Sequence, residues 1–155
     1  MKPQTLGLLR LGCFGGAVLM SYAILLKCDP EFLWAGVPHT LRYVFLSFMP
    51  LAAIGFLYVA IAWTLNAPKG WLSTSFPYII MTFCVFAIMW SFGLYFDSPA
   101  IVSTSLIVCA ALSIALLQGA CVSEDVLSII ALVFASITTV LFDCVIWHSF
   151  YYLNR

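Results

Sequence analysis

Charge is what this chain has least of. Among its 155 residues six are Lys or Arg and six are Asp or Glu, and the formal net charge is zero. The cations Lys2, Arg10, Lys27, Arg42, Lys69 and Arg155 stand singly, so no basic patch exists to hold nucleic acid or a broad anionic surface. Histidine is nearly absent too. Neither His39 nor His148 has a second ligand three or four residues further along the chain, which argues against haem or metal ligation. Cys13, Cys28, Cys84, Cys109, Cys121 and Cys144 form no C-x-x-C pair and lie in or beside apolar runs, where a thiol behaves as a small apolar side chain. Paired carboxylates, a nucleophile motif and a phosphate-cradling glycine loop are all missing. The expectation is therefore a protein that is not an enzyme and carries no cofactor or metal beyond bound lipids.

What remains is apolar: 65% of residues, with a mean hydropathy of +1.13. Such a composition excludes disorder and an ordinary soluble domain. It is arranged as five runs, at 6–26, 43–65, 76–96, 100–122 and 126–153. An uncharged run of about 20 helical residues rises about 30 Å, the thickness of bilayer hydrocarbon. None of the runs has the polar face that a soluble core helix needs. The chain thus reads as all-α, a single polytopic transmembrane bundle over 1–155 with four to five spanning helices and short loops. Asp97-Ser98-Pro99 joins the third and fourth runs, with Ser98 as N-cap and Pro99 as first helical residue of a tight hairpin. Pro50 is expected to kink the second run. Ser123 with Glu124 and Asp125 reads as a cap followed by acids in the first turn of the fifth. The first run, behind Lys2 and with Ser21-Tyr22-Ala23 near its end, has the outline of a secretory signal peptide; the expectation is a retained spanning helix. Five spans put the ends of the chain on opposite sides. The positive charges tie at three on each side, so orientation is not assigned.

Asp143 is the one acid well inside an apolar run, and Arg10 the one cation. An intramembrane carboxylate is costly and serves a proton or cation pathway in many proteins. Counted from Asp125, however, Asp143 falls about 27 Å along a helix, near the far interface, where a carboxylate bonded to water or a neighbour is the plainer reading. Arg10 is expected to snorkel or to pair near an interface. Gly12 and Gly16 make a G-x-x-x-G; Ser105, Cys109 and Ser113, and likewise Ala131, Ala135 and Thr139, repeat small residues every four positions. Each set lines one helix face and lets another helix approach closely. Packing within the chain is the plainer use, and a foreign helix the alternative. Trp34 and Phe32 in the first loop, Trp71 in the second, and Trp147, Tyr151 and Tyr152 at the end are expected to anchor at headgroup depth and grip neighbours. The third run holds Phe76, Tyr78, Phe83, Phe86, Trp90, Phe92, Tyr95 and Phe96 at nearly all azimuths, which suits lipid or large neighbours more than a pocket wall.

Two resemblances add to this. Pro30, Phe32-Leu33, Gly36-Val37, Tyr43-Val44-Phe45 and Asn66-Ala67-Pro68-Lys69, in that order and spacing, are similar to the four-helix mitochondrial inner-membrane family. That family holds the presequence translocase channel subunits and an accessory membrane subunit of respiratory complex I. The likeness runs over 16–117 and leaves the fifth run outside it. It implies a non-catalytic accessory subunit in a large assembly of the mitochondrial inner membrane, with other transmembrane subunits and lipids as partners. Ranked second, Trp90-Ser91 and Ile146-Trp147 resemble the third and fifth helices of the tryptophan-rich sensory (translocator) family. That likeness implies a five-helix binding protein for a sterol or porphyrin. A small transporter using Asp143 is the third reading.

Overall fold

In a computed structural model, residues 3–28, 34, 36–123 and 125–153 are described. They form α1 (Pro3–Cys28), α2 (His39–Leu65), α3 (Leu72–Tyr95) and α4 (Pro99–Ser123). A fifth span follows, built from α5 (Val126–Ser136), a π-helical segment (Ile137–Trp147) and α6 (His148–Leu153). Pro30 and Phe32-Leu33 of the first resemblance, with Phe32 also an expected anchor, and the first-turn acid Glu124 lie outside the described residues.

All five spans are long and apolar enough to cross a membrane, at 24 to 28 residues each. That is the build of an integral membrane protein. Their outer surfaces agree: Leu19, Ile54 and Tyr78 are 71%, 67% and 74% exposed, a distribution that only hydrocarbon solvates cheaply. Three helices start three or four residues earlier than the apolar runs do, α1 at Pro3 being the first. α2 begins at His39 because the Pro38 carbonyl accepts from the amides of Leu41 and Arg42, and polar residues in that turn can stand outside the hydrocarbon. α3 begins at Leu72, which leaves Pro77 in its second turn, and α2 continues through Pro50.

The spans form a ring in the order α1, α3, α4, fifth span, α2, with α2 touching α1 again only lightly. The α3–α4 hairpin is the tightest unit. Asp97 adopts φ 53°, the Ser98 amide bonds the Gly93 carbonyl at 2.8 Å, and the Asp97 amide bonds that of Leu94 at 3.1 Å. This paired closure ends α3 and reverses the chain within three residues. A second close approach joins α2 to α5, where a Cβ on Gly55 would stand 2.7 Å from the Ala131 carbonyl oxygen. Since lipid is as apolar as leucine, dispersion and interhelical hydrogen bonds hold such contacts, and shape complementarity outweighs hydrophobicity.

Two core clusters result, one towards each membrane face. The near cluster, on the side of the α2–α3 loop, includes Val59, Trp63, Leu72, Phe76, Leu116 and Leu132. The far cluster, on the side of the Asp97 turn, includes Phe45, Trp90, Leu94, Val102, Phe142 and Trp147.

One cap differs from expectation. Ser123 belongs to the end of α4, and Asp125 is the N-cap of α5: its carboxylate accepts from both the amide and the hydroxyl of Ser128. A carboxylate reaches the third amide of the next turn with one oxygen and a hydroxyl with the other, which no serine can do.

Candidate functional site

The π segment decides what meets at the centre of the far half. Its wider turn gives a five-residue step between the buried Phe142 and Trp147, followed by a four-residue step to the buried Tyr151. Trp147 and Tyr151 therefore face the bundle, only 3% and 8% exposed, and stack with centroids 5.2 Å apart. Expected as anchors that grip neighbours, both side chains instead pack against helices of this chain: a regular α-helix would turn Trp147 about 140° away from Phe142, whereas the widened turn returns it to the inner face. Tyr152 stays outward at 48% exposure, and its hydroxyl reaches that of Ser103 at 2.8 Å. Trp71 is also exposed; Trp34 is half-buried, edge-on to Phe45 and 5.5 Å beneath the Arg42 guanidinium.

Two side-chain ties between α4 and the fifth span locate the depth of Asp143. Ser113 bonds Thr139 at 2.7 Å and Ser103 lies 2.9 Å from the His148 Nε2. Between these two ties, Asp143 falls level with Cys109, about 15 Å along α4 from its start. That is close to mid-span, deeper than the interfacial position that counting from Asp125 predicts. Tyr22 of α1 and Cys109 of α4 both lie within electrostatic range of the Asp143 carboxylate. Tyr22 packs edge-on to Trp90 at 5.5 Å, and Trp90 edge-on to Trp147 at 5.4 Å. Beside them the Ser21 and Ser91 hydroxyls meet at 3.2 Å. Two buried polar atoms in this neighbourhood, Trp90 Nε1 and Ser105 Oγ, have no hydrogen-bond partner among the described residues. Sequence pattern singled out Asp143, Ser105 and Cys109 but missed Tyr22 and Trp147 as their neighbours; only the π-helical turn brings the last of these inward.

The small-residue faces part company. Ser105, Cys109 and Ser113 are all buried, the Cys109 thiol pointing to the Phe83 carbonyl and the Ser113 carbonyl accepting from Ser136. Thr139 closes on Ser113, Ala135 is buried, and Ala131 is the backbone that Gly55 approaches. These two faces are used within the chain. Gly12 and Gly16 are not: both are exposed, and a Cβ at either, or at Gly15, would meet nothing within 4 Å. Among the described residues, no group of three His, Cys, Asp or Glu is placed to hold a metal.

At the near face Asp125 is, among the described residues, the one titratable group outside the spans whose acidity is clearly set by its neighbours. The hydrogen bond from the Ser128 hydroxyl, with help from the Ser128 amide, holds its carboxyl below the usual carboxylate range. The Trp63 indole reaches the same carboxylate, tying α2 to the cap of α5. Arg10, expected to snorkel, lines a cleft between α1, α2 and α3 on this same side, together with Gln4, Thr64 and Ser73. Comparison with protein-family models, curated proteins and solved structures finds no match for the chain.

Proposed function

We propose that this protein is a non-catalytic accessory subunit, a helical bundle that docks against other transmembrane helices of a larger membrane assembly. The observation that carries this reading is the outer face of α1. Gly12 and Gly16 lie one turn apart in the middle of a spanning helix, exposed, with no side chain or backbone among the described residues near enough to use the space they leave. Glycine within a helix costs about 0.5–1 kcal/mol against alanine, so a pair on a lipid-facing surface is unfavourable until another helix closes on it. The other two small-residue faces are already occupied inside the bundle, which leaves α1 as the docking edge. As host we infer a mitochondrial respiratory complex of the complex I kind, supported by the residues at 30–69 that resemble the accessory subunit of that family.

Solubilisation in mild detergent followed by a native gel tests the reading. Co-migration with a much larger assembly is expected, and Gly12→Leu with Gly16→Leu should release the chain while its helical circular dichroism stays unchanged. Migration of the wild-type chain at about its own 17.1 kDa, or a small multiple, would overturn it.

A second reading has one observation in its favour. Asp143 lies near mid-span within electrostatic range of Tyr22 and Cys109; Trp90, which packs on Tyr22, and Ser105, one turn from Cys109, each bury a polar atom with no partner among the described residues, and a proton or cation path needs a polar interior of this kind. Reconstituted into vesicles, a transporter of this kind should lose pH-dependent flux on Asp143→Asn; flux that is absent, or unchanged by the substitution, removes the idea.

A further inference from the structure

The cleft beside Arg10 is distinct from both the Asp143 neighbourhood and the glycine face. It has a volume of about 370 Å³ and opens between α1 and the near-side ends of α2 and α3. Its mouth is framed where α1 comes closest to α2: Gln4 Nε2 donates to the Leu65 carbonyl at 2.9 Å, and a Cβ on Gly7 would stand 2.7 Å from the Thr64 methyl. Arg10 lies one helical turn deeper, about 4.5 Å below that contact. Below Arg10 the wall turns apolar, with Phe14 from α1 and Ile80 and Met81 from α3.

The polar groups at the mouth are already committed. Thr64 donates to the Ala60 carbonyl at 2.6 Å and Ser73 to the Gly70 carbonyl at 2.9 Å, while the Gln4 amide nitrogen is held by Leu65. Among the described residues no carboxylate lines the cleft, and none pairs with Arg10. The guanidinium is thus the cleft's cationic donor, a fork of five N–H groups matched to a phosphodiester and placed where snorkelling brings it to headgroup depth. An intramembrane arginine without a counter-ion is costly. We propose that this cleft holds one anionic glycerophospholipid, its phosphate on Arg10 and an acyl chain along Phe14, Ile80 and Met81. An anionic headgroup is preferred over a zwitterionic one because the ammonium of choline or ethanolamine would find no carboxylate in the cleft. The site belongs to the chain alone and does not depend on its place in an assembly.

Native mass spectrometry of the purified chain, offered equal amounts of phosphatidylglycerol and phosphatidylcholine, reads the site directly. The wild type is expected to retain a single phosphatidylglycerol with about fivefold preference, the worth of one basic residue at an anionic lipid surface. Arg10→Gln should bring that preference to parity, and Arg10→Lys should keep part of it. Met81→Trp, which leaves the charge and fills the floor, should cut retention of both lipids. Equal retention by the wild type, an unchanged preference in Arg10→Gln, or unchanged retention in Met81→Trp would overturn the site. So would displacement of the lipid by millimolar inorganic phosphate, which would make it a site for a soluble anion. Each variant's helical circular dichroism is read alongside; should Arg10→Gln not fold, Arg10→Lys and Met81→Trp still decide the matter.

Discussion

Gly55 and Gly12 are the same residue in the same kind of helix, and a methyl group should push them in opposite directions. At Gly55 the added Cβ runs into the backbone oxygen of Ala131, which no rotamer change can move aside. Gly55→Ala should destabilise the isolated chain by about 1–3 kcal/mol, the usual cost of overpacking, read as a lower melting temperature in detergent. At Gly12 nothing is met, so Gly12→Ala should stabilise by about 0.5–1 kcal/mol through helix propensity alone. Sequence showed Gly12 as part of a recognisable spacing and gave Gly55 no pattern at all. Which glycine is used inside the molecule depends on where a neighbouring backbone passes, and only packing specifies that.

Among the elements, the fifth span carries most of the surprises and most of the design. Its start rests on Asp125, which serves as cap for α5 and as partner of Trp63. Asp125→Ala should cost about 1 kcal/mol, as loss of an N-cap does. The pH dependence follows from the direction of the shift. The folded-state pKa is below the unfolded one, so the contribution is fully present above the unfolded value of about 4 and is lost as pH falls through the lower folded value. Thermal melts of wild type and Asp125→Ala should therefore differ at neutral pH and converge under strongly acid conditions; a constant difference would contradict this account. Further along, hydrophobic runs and helical periodicity located the span but could not foresee the π segment. An extra residue in a turn leaves the apolar composition unchanged and alters only the direction in which Asp143, Trp147 and Tyr151 point.

For the whole molecule, five spans give alternating sides. The α2–α3 loop around Lys69 shares a face with Asp125, and the Asp97 turn shares the opposite face with the α1–α2 connection. Single cysteines introduced at Lys69 and Asp97 into a background with the native cysteines replaced should react with an impermeant maleimide from opposite sides of sealed vesicles. Labelling of both from one side would remove a span. The ring order also separates roles. α3, α4 and the fifth span use their small residues against one another, while α1 leaves Gly12 and Gly16 to lipid or to a partner and carries the arginine that lines a cleft.

The amino-acid sequence alone determined the class of this protein: run length and the scarcity of charge specify five rods that dissolve in hydrocarbon, because the cost of leaving backbone unpaired there permits little else. The ends of those rods were legible only in part: Pro99 marks the start of α4, whereas α2 and α3 begin four residues before the apolar runs and Asp125, not Ser123, caps α5. The tertiary structure decided which faces meet. In a membrane nearly every side chain is apolar, so inward and outward surfaces look alike in the sequence. The choice between them falls to steric fit, a widened helical turn and a few hydroxyl contacts such as Ser113 with Thr139.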